Sequence, residues 1–308
     1  YKVFIKDLIA KDLAYPCFLS EEEITATREI QEASKLPTGI YKEYSPWRYA
    51  SMEDIQKALD EKKEFVIRLK SKGELTKKIE VEDLIKGKVA MQENFLDIVI
   101  CKKTGIPTYH FAHLVDDHLM GTTHVIRSDE WFASLPLHNE LFAIEGWQSP
   151  KYAHYGPLVK IDGDSRRKLS KRKDVEADVE YYFSQGYVIE AIQDFLSNMI
   201  NAGFEDWRKQ NLSASYLDYD FKLERINTAG ALVDLDKLRF VNASWIKNMK
   251  LEELYELLSK YLEKYEKDFY QNTFLHSEKS YNLSIINELK TRLVILKDYK
   301  ELTKFFYN

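Results

Sequence analysis

Arg166-Arg167-Lys168-Leu169-Ser170-Lys171-Arg172-Lys173 carries six cations in eight positions, with Ser170 near its centre. The run follows Asp162-Gly163-Asp164-Ser165, a turn composition, and precedes Asp174, Glu176 and Asp178, an acidic group of the kind that opens a helix. The expected structure is a mobile basic loop between two ordered elements. Its natural partner is a polyphosphate: lysines supply point charges, Ser170 a hydroxyl donor, and main-chain N–H groups can join them. On charge alone, a solvated basic loop or a patch for a nucleic acid backbone is the commoner meaning of such a run.

Outward from this run, the 308 residues suffice for two or three domains with cores of their own. With 44% hydrophobic and 31% charged residues, the composition is that of an ordinary globular protein. The net charge of −5 means that any nucleic acid must be met by a local basic patch and not by the surface as a whole. Cys17 and Cys101 are the only cysteines, too few for a zinc site alone and in keeping with a reducing, cytoplasmic compartment. No apolar run is long enough to span a membrane, and no signal peptide is expected. Val3, Phe4, Ile5, Leu8 and Ile9 already form a helical apolar pattern at the start, and Leu302, Phe305 and Phe306 carry one to the end. Both ends therefore read as cut from a longer protein.

In chain order, residues 2–13 predict an amphipathic helix stopped at Ala14-Tyr15-Pro16. Ser20-Glu21-Glu22-Glu23 is a capping box for a helix over 21–35, and Ser51-Met52-Glu53-Asp54 caps another through Glu61. The period then changes. Phe65–Leu69, Lys78–Val81, Lys88–Ala90 and Asp97–Cys101 predict strands. A helix over Thr108–Met120 ends at Gly121, and Thr123–Arg127 is a short strand with Arg127 at its C-terminal end, where ligands bind in α/β sheets. Ser128–Ile144 predicts a helix and Tyr152–Val159 a strand. Beyond the basic run the chain is mostly helical: Val188–Ala202, a short Asp234–Leu238, Leu251–Lys267 and Asn282–Phe306.

Four of the seven histidines, His110, His113, His118 and His124, fall in one stretch with Asp116 and Asp117. This invites a metal site, but no third ligand has a conventional spacing, so structural or substrate-contacting histidines are favoured. Arg127 can hold a carboxylate with two parallel hydrogen bonds or pair with Asp129 or Glu130. Tyr109 can donate its phenol to the same ligand or pack in the core. Trp131 can stack on a base or belong to the core. One arrangement makes these pieces cooperate: a carboxylate at Tyr109, His113 and Arg127, and a nucleoside triphosphate near Leu158 and Val159 with the basic loop closed over its phosphates. That arrangement suits adenylation, in which a carboxylate attacks the α-phosphate and pyrophosphate leaves.

Lys168-Leu169-Ser170-Lys171-Arg172 resembles the second signature of class I aminoacyl-tRNA synthetases in the form found in the glutamyl enzymes. Pro107–Trp131 resembles the glutamate-site segment of the bacterial glutamyl-tRNA synthetases, in the family's order and spacing. The likeness is nearly continuous from Gly105 to Lys173 and weaker over most of the rest. It implies an α/β fold with a mostly helical C-terminal part: a partial Rossmann-type core with an α+β insertion. The implied division is residues 1–14 as the remnant of the first Rossmann half, 15–104 as the acceptor-end insertion and 105–160 as the second half. Residues 161–245 hold the KLSKR loop and stem-contact region, and 246–308 start a helical anticodon-binding domain.

The resemblance further implies that Tyr109, His110, Phe111, Ala112, His113 and Arg127 contact glutamate. Glu130, Trp131, Leu158, Val159, Lys168, Leu169, Ser170, Lys171 and Arg172 contact ATP, which is a substrate with Mg2+, and Lys168 and Lys171 stabilise phosphate charge. Some relatives hold zinc on a Cys-x-Cys; Cys17-Phe18-Leu19 lacks the second cysteine, so no zinc is expected. Implied partners are glutamate, ATP and the glutamate tRNA, acting on a monomer, with no membrane and no DNA. The family's first signature, of His-x-Gly-His type, has no counterpart here. The expectation is that the parent protein ligates glutamate to tRNA through glutamyl-adenylate, and that these 308 residues alone do not activate glutamate. A non-catalytic tRNA-binding or regulatory paralogue is the alternative, and a metalloprotein built on the histidines a third.

Overall fold

The computed structural model describes residues 1–307 apart from Ser213 and Ala229. It divides into two compact units, Tyr1–His154 and Tyr155–Asn308.

In the first unit, α1 (Lys2–Ala10) leads into β1 (Ala14–Cys17). The sequence pattern ran the helix on to 13; instead Asp12 turns with φ +56° and the chain enters a sheet of order β1-β2-β5, with β2 Val66–Leu69 and β5 Val99–Cys101. Pro16 is tolerated because β1 is the edge strand, where a missing N–H is not missed. Between these strands lie α2 (Glu21–Ala33), whose Ser20–Glu23 capping box forms as expected, α3 (Met52–Asp60), and the antiparallel hairpin β3 (Lys78–Asp83) and β4 (Gly87–Gln92). Next come α4 (Tyr109–Met120), closed by Gly121 at φ +65°, β6 (His124–Ser128), α5 (Leu135–Glu145) and β7 (Lys151–Tyr155), the last pairing with β6. The helix predicted over Ser128–Ile144 is split: residues 129–134 are a tight 3-10 turn, and the α-helix proper starts at Leu135 with Pro136 in its first turn, where the absent N–H costs nothing. The core joins Ile5, Leu8, Leu69, Ile100, Phe111, Leu114, Leu141 and Phe142.

In the second unit, β8 (Leu158–Asp162) and β9 (Ser165–Lys168) form a hairpin, and β10 (Ala231–Leu232) pairs parallel to β8. The strand expected over Tyr152–Val159 is therefore two strands. The first half of the basic run is not a loop either, but an antiparallel strand with Lys160 opposite Arg167. The helices are α6 (Val179–Gln185), α7 (Ile189–Ile200), α8 (Phe204–Gln210), α9 (Leu235–Asn248), α10 (Leu251–Tyr265), α11 (Lys267–Phe269, running into a wide π-turn at Tyr270–Phe274), α12 (Lys279–Leu289) and α13 (Asp298–Leu302). Leu254, Leu258 and Leu262 of α10 meet Ile285, Ile286 and Leu289 of α12, all buried. Each such side chain contributes about 1.5–3 kcal/mol. Gly186 ends α6 at φ +84°, and a Cβ there would stand 2.8 Å from the main-chain nitrogens of Leu296 and Lys297.

Candidate active site

In the first unit Arg127 leaves the end of β6 among aromatic rings. Its Nε donates to His154 Nε2 (2.9 Å), its Nη2 to His138 Nδ1 (3.0 Å) and its Nη1 to the Tyr109 hydroxyl (3.4 Å), while the guanidinium lies 5.1 Å from the centre of the Tyr152 ring. A guanidinium has five N–H groups and no acceptor, so both imidazole nitrogens facing it must be bare acceptors. Histidine tautomers follow from that single fact. His154 carries its proton on Nδ1 and gives it to Asp83 Oδ2 at 2.6 Å. His138 carries its proton on Nε2 and gives it to His110 Nδ1 at 2.9 Å, which leaves the His110 proton on Nε2. One permanent cation thus fixes three neutral rings. His113 makes a parallel chain: its Nδ1 faces Asp117 Oδ2 at 2.5 Å, and its Nε2 accepts from the Tyr152 hydroxyl at 2.9 Å.

The electrostatics agree with the geometry. Burial, with the charge of Arg127 and the neighbouring rings behind it, pushes the His138 imidazole down to about 2. His110 and His154 are lowered mainly by burial, and so is His113, where desolvation outweighs the pull of Asp117. Burial holds the Tyr152 phenol up at about 12, so it remains a donor. Asp83 is lowered, because the hydrogen bonds it accepts from His154 and from the main chain of Lys86 and Ile85 overcome its burial. Among the described residues Arg127 has no carboxylate partner. Asp129, one of the two acids considered for it, instead pairs with Lys86 at 2.8 Å. With three donors engaged, the guanidinium keeps two for a ligand beside Tyr109, which is half exposed and tilts against Trp131 at 4.2 Å between ring centres.

Of the residues expected to touch glutamate, Tyr109, His110, His113 and Arg127 converge here, and Ala112 is half-buried on the same helix. Phe111 is fully buried against Leu114, Leu141 and Phe142 on the inward face of α4, so its side chain supports the helix. The histidine grouping seen in sequence also divides. His118 stacks on Trp147 at 3.7 Å and His124 is exposed beside Thr123, whereas the true companions of His110 and His113 are His138 and His154. Sequence reasoning missed both, together with Asp83. The signal for His154 lay in its alternation with Tyr152 on a buried strand; for Asp83, 71 positions away, there was none. Among the described residues no three His, Cys, Asp or Glu converge as a metal site.

The second unit presents the basic run. Arg167 is not available to a ligand: Asp174 takes it through two bonds of 2.6 and 2.7 Å, and Asp162 through a third of 2.5 Å. Asp174 also accepts the Ser170 N–H at 2.8 Å and pairs with Lys160 at 3.1 Å. Hydrogen bonding from Arg167, above all, holds the Asp174 carboxyl well below the usual carboxylate range. The Leu169 N–H is fastened to the Leu158 carbonyl at 2.8 Å. Leu158 is half-buried and Val159 buried, with Val159 opposite Lys168 in the hairpin. Lys171, Arg172 and Lys173 are exposed beyond this clamp, and among the described residues no acid pairs with them.

Residues 1–240 match the family described as tRNA synthetases class I (E and Q), catalytic domain. The chain belongs to this family. Its core is the Rossmann-like catalytic fold of that class. Among its relatives, the glutamate–tRNA ligase of Clostridium perfringens (strain 13 / Type A) is 47% identical over 270 residues, covering 88% of this chain and 50% of that protein. The glutamate–tRNA ligase of Acetivibrio thermocellus is 42% identical over 312 residues, covering 100% of this chain and 57% of that protein. A crystal structure of the glutamate tRNA ligase from Elizabethkingia meningosepticum in complex with its amino acid is similar over 100% of this chain and 63% of that one, with a TM-score of 0.80 at 27% identity. The chain therefore spans about half the length of the curated relatives it matches.

Proposed function

We propose that the protein activates L-glutamate with ATP and transfers it to tRNA. The observation that carries this reading is Arg127: a buried-rim guanidinium framed by neutral histidines, with no acid partner among the described residues and two donors to spare. Such a group is built for a carboxylate. Tyr109 would add its hydroxyl and ring, with His110 and His113 setting the floor. ATP, with Mg2+ as its counterion, would be held by Glu130, Trp131, Leu158, Val159 and the segment Lys168 to Arg172. Lys168 and Lys171 would stabilise charge on the phosphates as pyrophosphate leaves. The names of the relatives support the substrate choice.

Residues 15–104 would meet the acceptor end of the tRNA and 175–245 its inner stem, with 1–14 and 105–160 as the Rossmann halves and 246–308 beginning the anticodon-binding part. A monomer would carry all of these roles. Both cysteines are buried thiols, and the proposed setting is the cytoplasm, with a reaction that would need no zinc.

The test uses the protein expressed from its complete coding region. Glutamate-dependent pyrophosphate exchange and charging of tRNA are expected. Lys171→Ala should lower kcat about 100-fold, the scale of losing one preorganised transition-state donor, while the KM for glutamate stays near the wild-type value. Absence of any glutamate-dependent activity in the wild-type protein would overturn the reading, and equal effects on kcat and on glutamate KM would remove Lys171 from its phosphate role.

A further inference from the structure

Asp83 ends β3, at the mouth of a hairpin turn that sequence places far from the site, yet its carboxylate is among the most heavily engaged groups of the first unit. Oδ1 accepts the N–H groups of Ile85 and Lys86, both at 3.0 Å, and the His154 N–H reaches Oδ2 at 3.1 Å. The remaining direction of Oδ2 faces His154 Nδ1 at 2.6 Å. Both side chains are completely shielded from solvent. The turn is held on β7 by the Leu84 N–H donating to the Tyr152 carbonyl at 2.8 Å, and on the residue after β6 by the ion pair of Lys86 with Asp129. With its main-chain partners fixed, the carboxylate cannot rotate away from the imidazole.

We propose that Asp83 is a positioning residue for carboxylate recognition: it locks His154 in the tautomer whose bare Nε2 accepts from Arg127 Nε. The guanidinium fork then has one edge tied down by His154 and His138, which aims the free N–H groups at a ligand carboxylate. A carboxylate at position 83 accepts only. An amide would be anchored through its oxygen by the Ile85 and Lys86 N–H groups and would turn its NH2 toward His154 Nδ1. His154 would have to move its proton to Nε2, where it would meet the Arg127 Nε–H, donor against donor. The same physics makes an Asp→Asn change beside a catalytic histidine costly even when the geometry survives.

The proposal rests on the glutamate reading of Arg127, and the experiment separates the two. In the protein from the complete coding region, Asp83→Asn should raise the KM for glutamate about 10- to 100-fold, the scale of a lost charge-assisted hydrogen bond, and leave the KM for ATP unchanged. In a His154→Gln background, where Oε1 supplies the acceptor whatever its neighbour does, Asp83→Asn should add nothing further. A wild-type protein without glutamate-dependent activity overturns the function. An active wild type with Asp83→Asn indistinguishable from it, or with the same KM increase in both backgrounds, overturns the positioning role alone. Should Asp83→Asn fail to fold, His154 decides. His154→Phe, which offers no acceptor, is expected to raise glutamate KM about 10-fold or more, and well above His154→Gln, which keeps one; equal values for the two overturn the proposal.

Discussion

His138 is fully buried, accepts from Arg127 and has its imidazole pushed down to about 2. It therefore stays neutral in the folded chain across the accessible acid range, whereas in the unfolded chain it titrates at its ordinary value of about 6.5. Below that value the unfolded state binds a proton that the folded state refuses, so stability falls as pH falls. The size follows from the offset: at pH 5.0 the unfolded state gains about 2 kcal/mol from protonating this one ring, and at pH 7.5 almost nothing.

His138→Asn keeps an acceptor at the Nδ1 position for Arg127 but cannot take up the proton. Chemical denaturation of the wild type and the variant, followed by far-UV circular dichroism at pH 7.5 and 5.0, isolates the effect, since His110, His113 and His154 are present in both proteins. The stability advantage of the wild type should shrink by about 2 kcal/mol on acidification. An advantage that is the same at both pH values would mean that His138 takes a proton equally in both states, and the tautomer chain built outward from Arg127 would be wrong.

Two further outcomes test the second unit. Asp174→Asn removes the acceptor that holds Arg167, Lys160 and the Ser170 N–H together; trypsin should then cut at Lys168–Lys173 several-fold faster under native conditions, because cleavage follows the population of the opened segment, and an unchanged rate would mean the clamp does not order the run. Gly186→Ala introduces a Cβ into a left-handed residue pressed on the main chain of Leu296 and Lys297; it should cost roughly 2 kcal/mol or more, read as a Tm lower by about 4 °C or more, and a Tm equal to wild type would contradict the packing described.

Local signals were legible wherever one residue type carried a backbone requirement. Ser20 and Glu23 announce a helix start, Gly121 a helix end, and both hold. Patterns failed where burial and polarity part company. The stretch after Asp234 read as a short element because Phe240 is exposed and Asn242 buried, the reverse of an amphipathic helix. Asn242 is inside because its amide serves the Val188 N–H and the Val294 carbonyl, and the helix runs on to Asn248. Likewise Asn282–Phe306 read as one helix, yet it breaks after Leu289, where Leu296 donates its N–H to the Gly186 carbonyl.

The site shows the same division. Tyr109, His110, His113 and Arg127 lie within one helix and one strand, and their proximity was visible. His138, His154 and Asp83 join them only in space. In the basic run, the acids read as a helix start include Asp174 and Glu176, which are spent on Arg167 and Lys160; only Asp178 caps a helix, by accepting the Glu180 N–H. Half of an apparently mobile loop is thereby ordered by its own neighbours.

The Asp83 turn has a consequence for protein engineering. Swapping the β3–β4 hairpin between relatives, or trimming it, treats that region as an exchangeable cassette. Here the cassette carries a carboxylate that accepts from His154, the imidazole whose other nitrogen accepts from Arg127. On the positioning role proposed for Asp83, a graft whose turn lacks an acid at that place would fold its own strands correctly and still hand the host a misaligned guanidinium, and the proposed amino-acid affinity would be lost in a chimera whose every grafted residue looks intact.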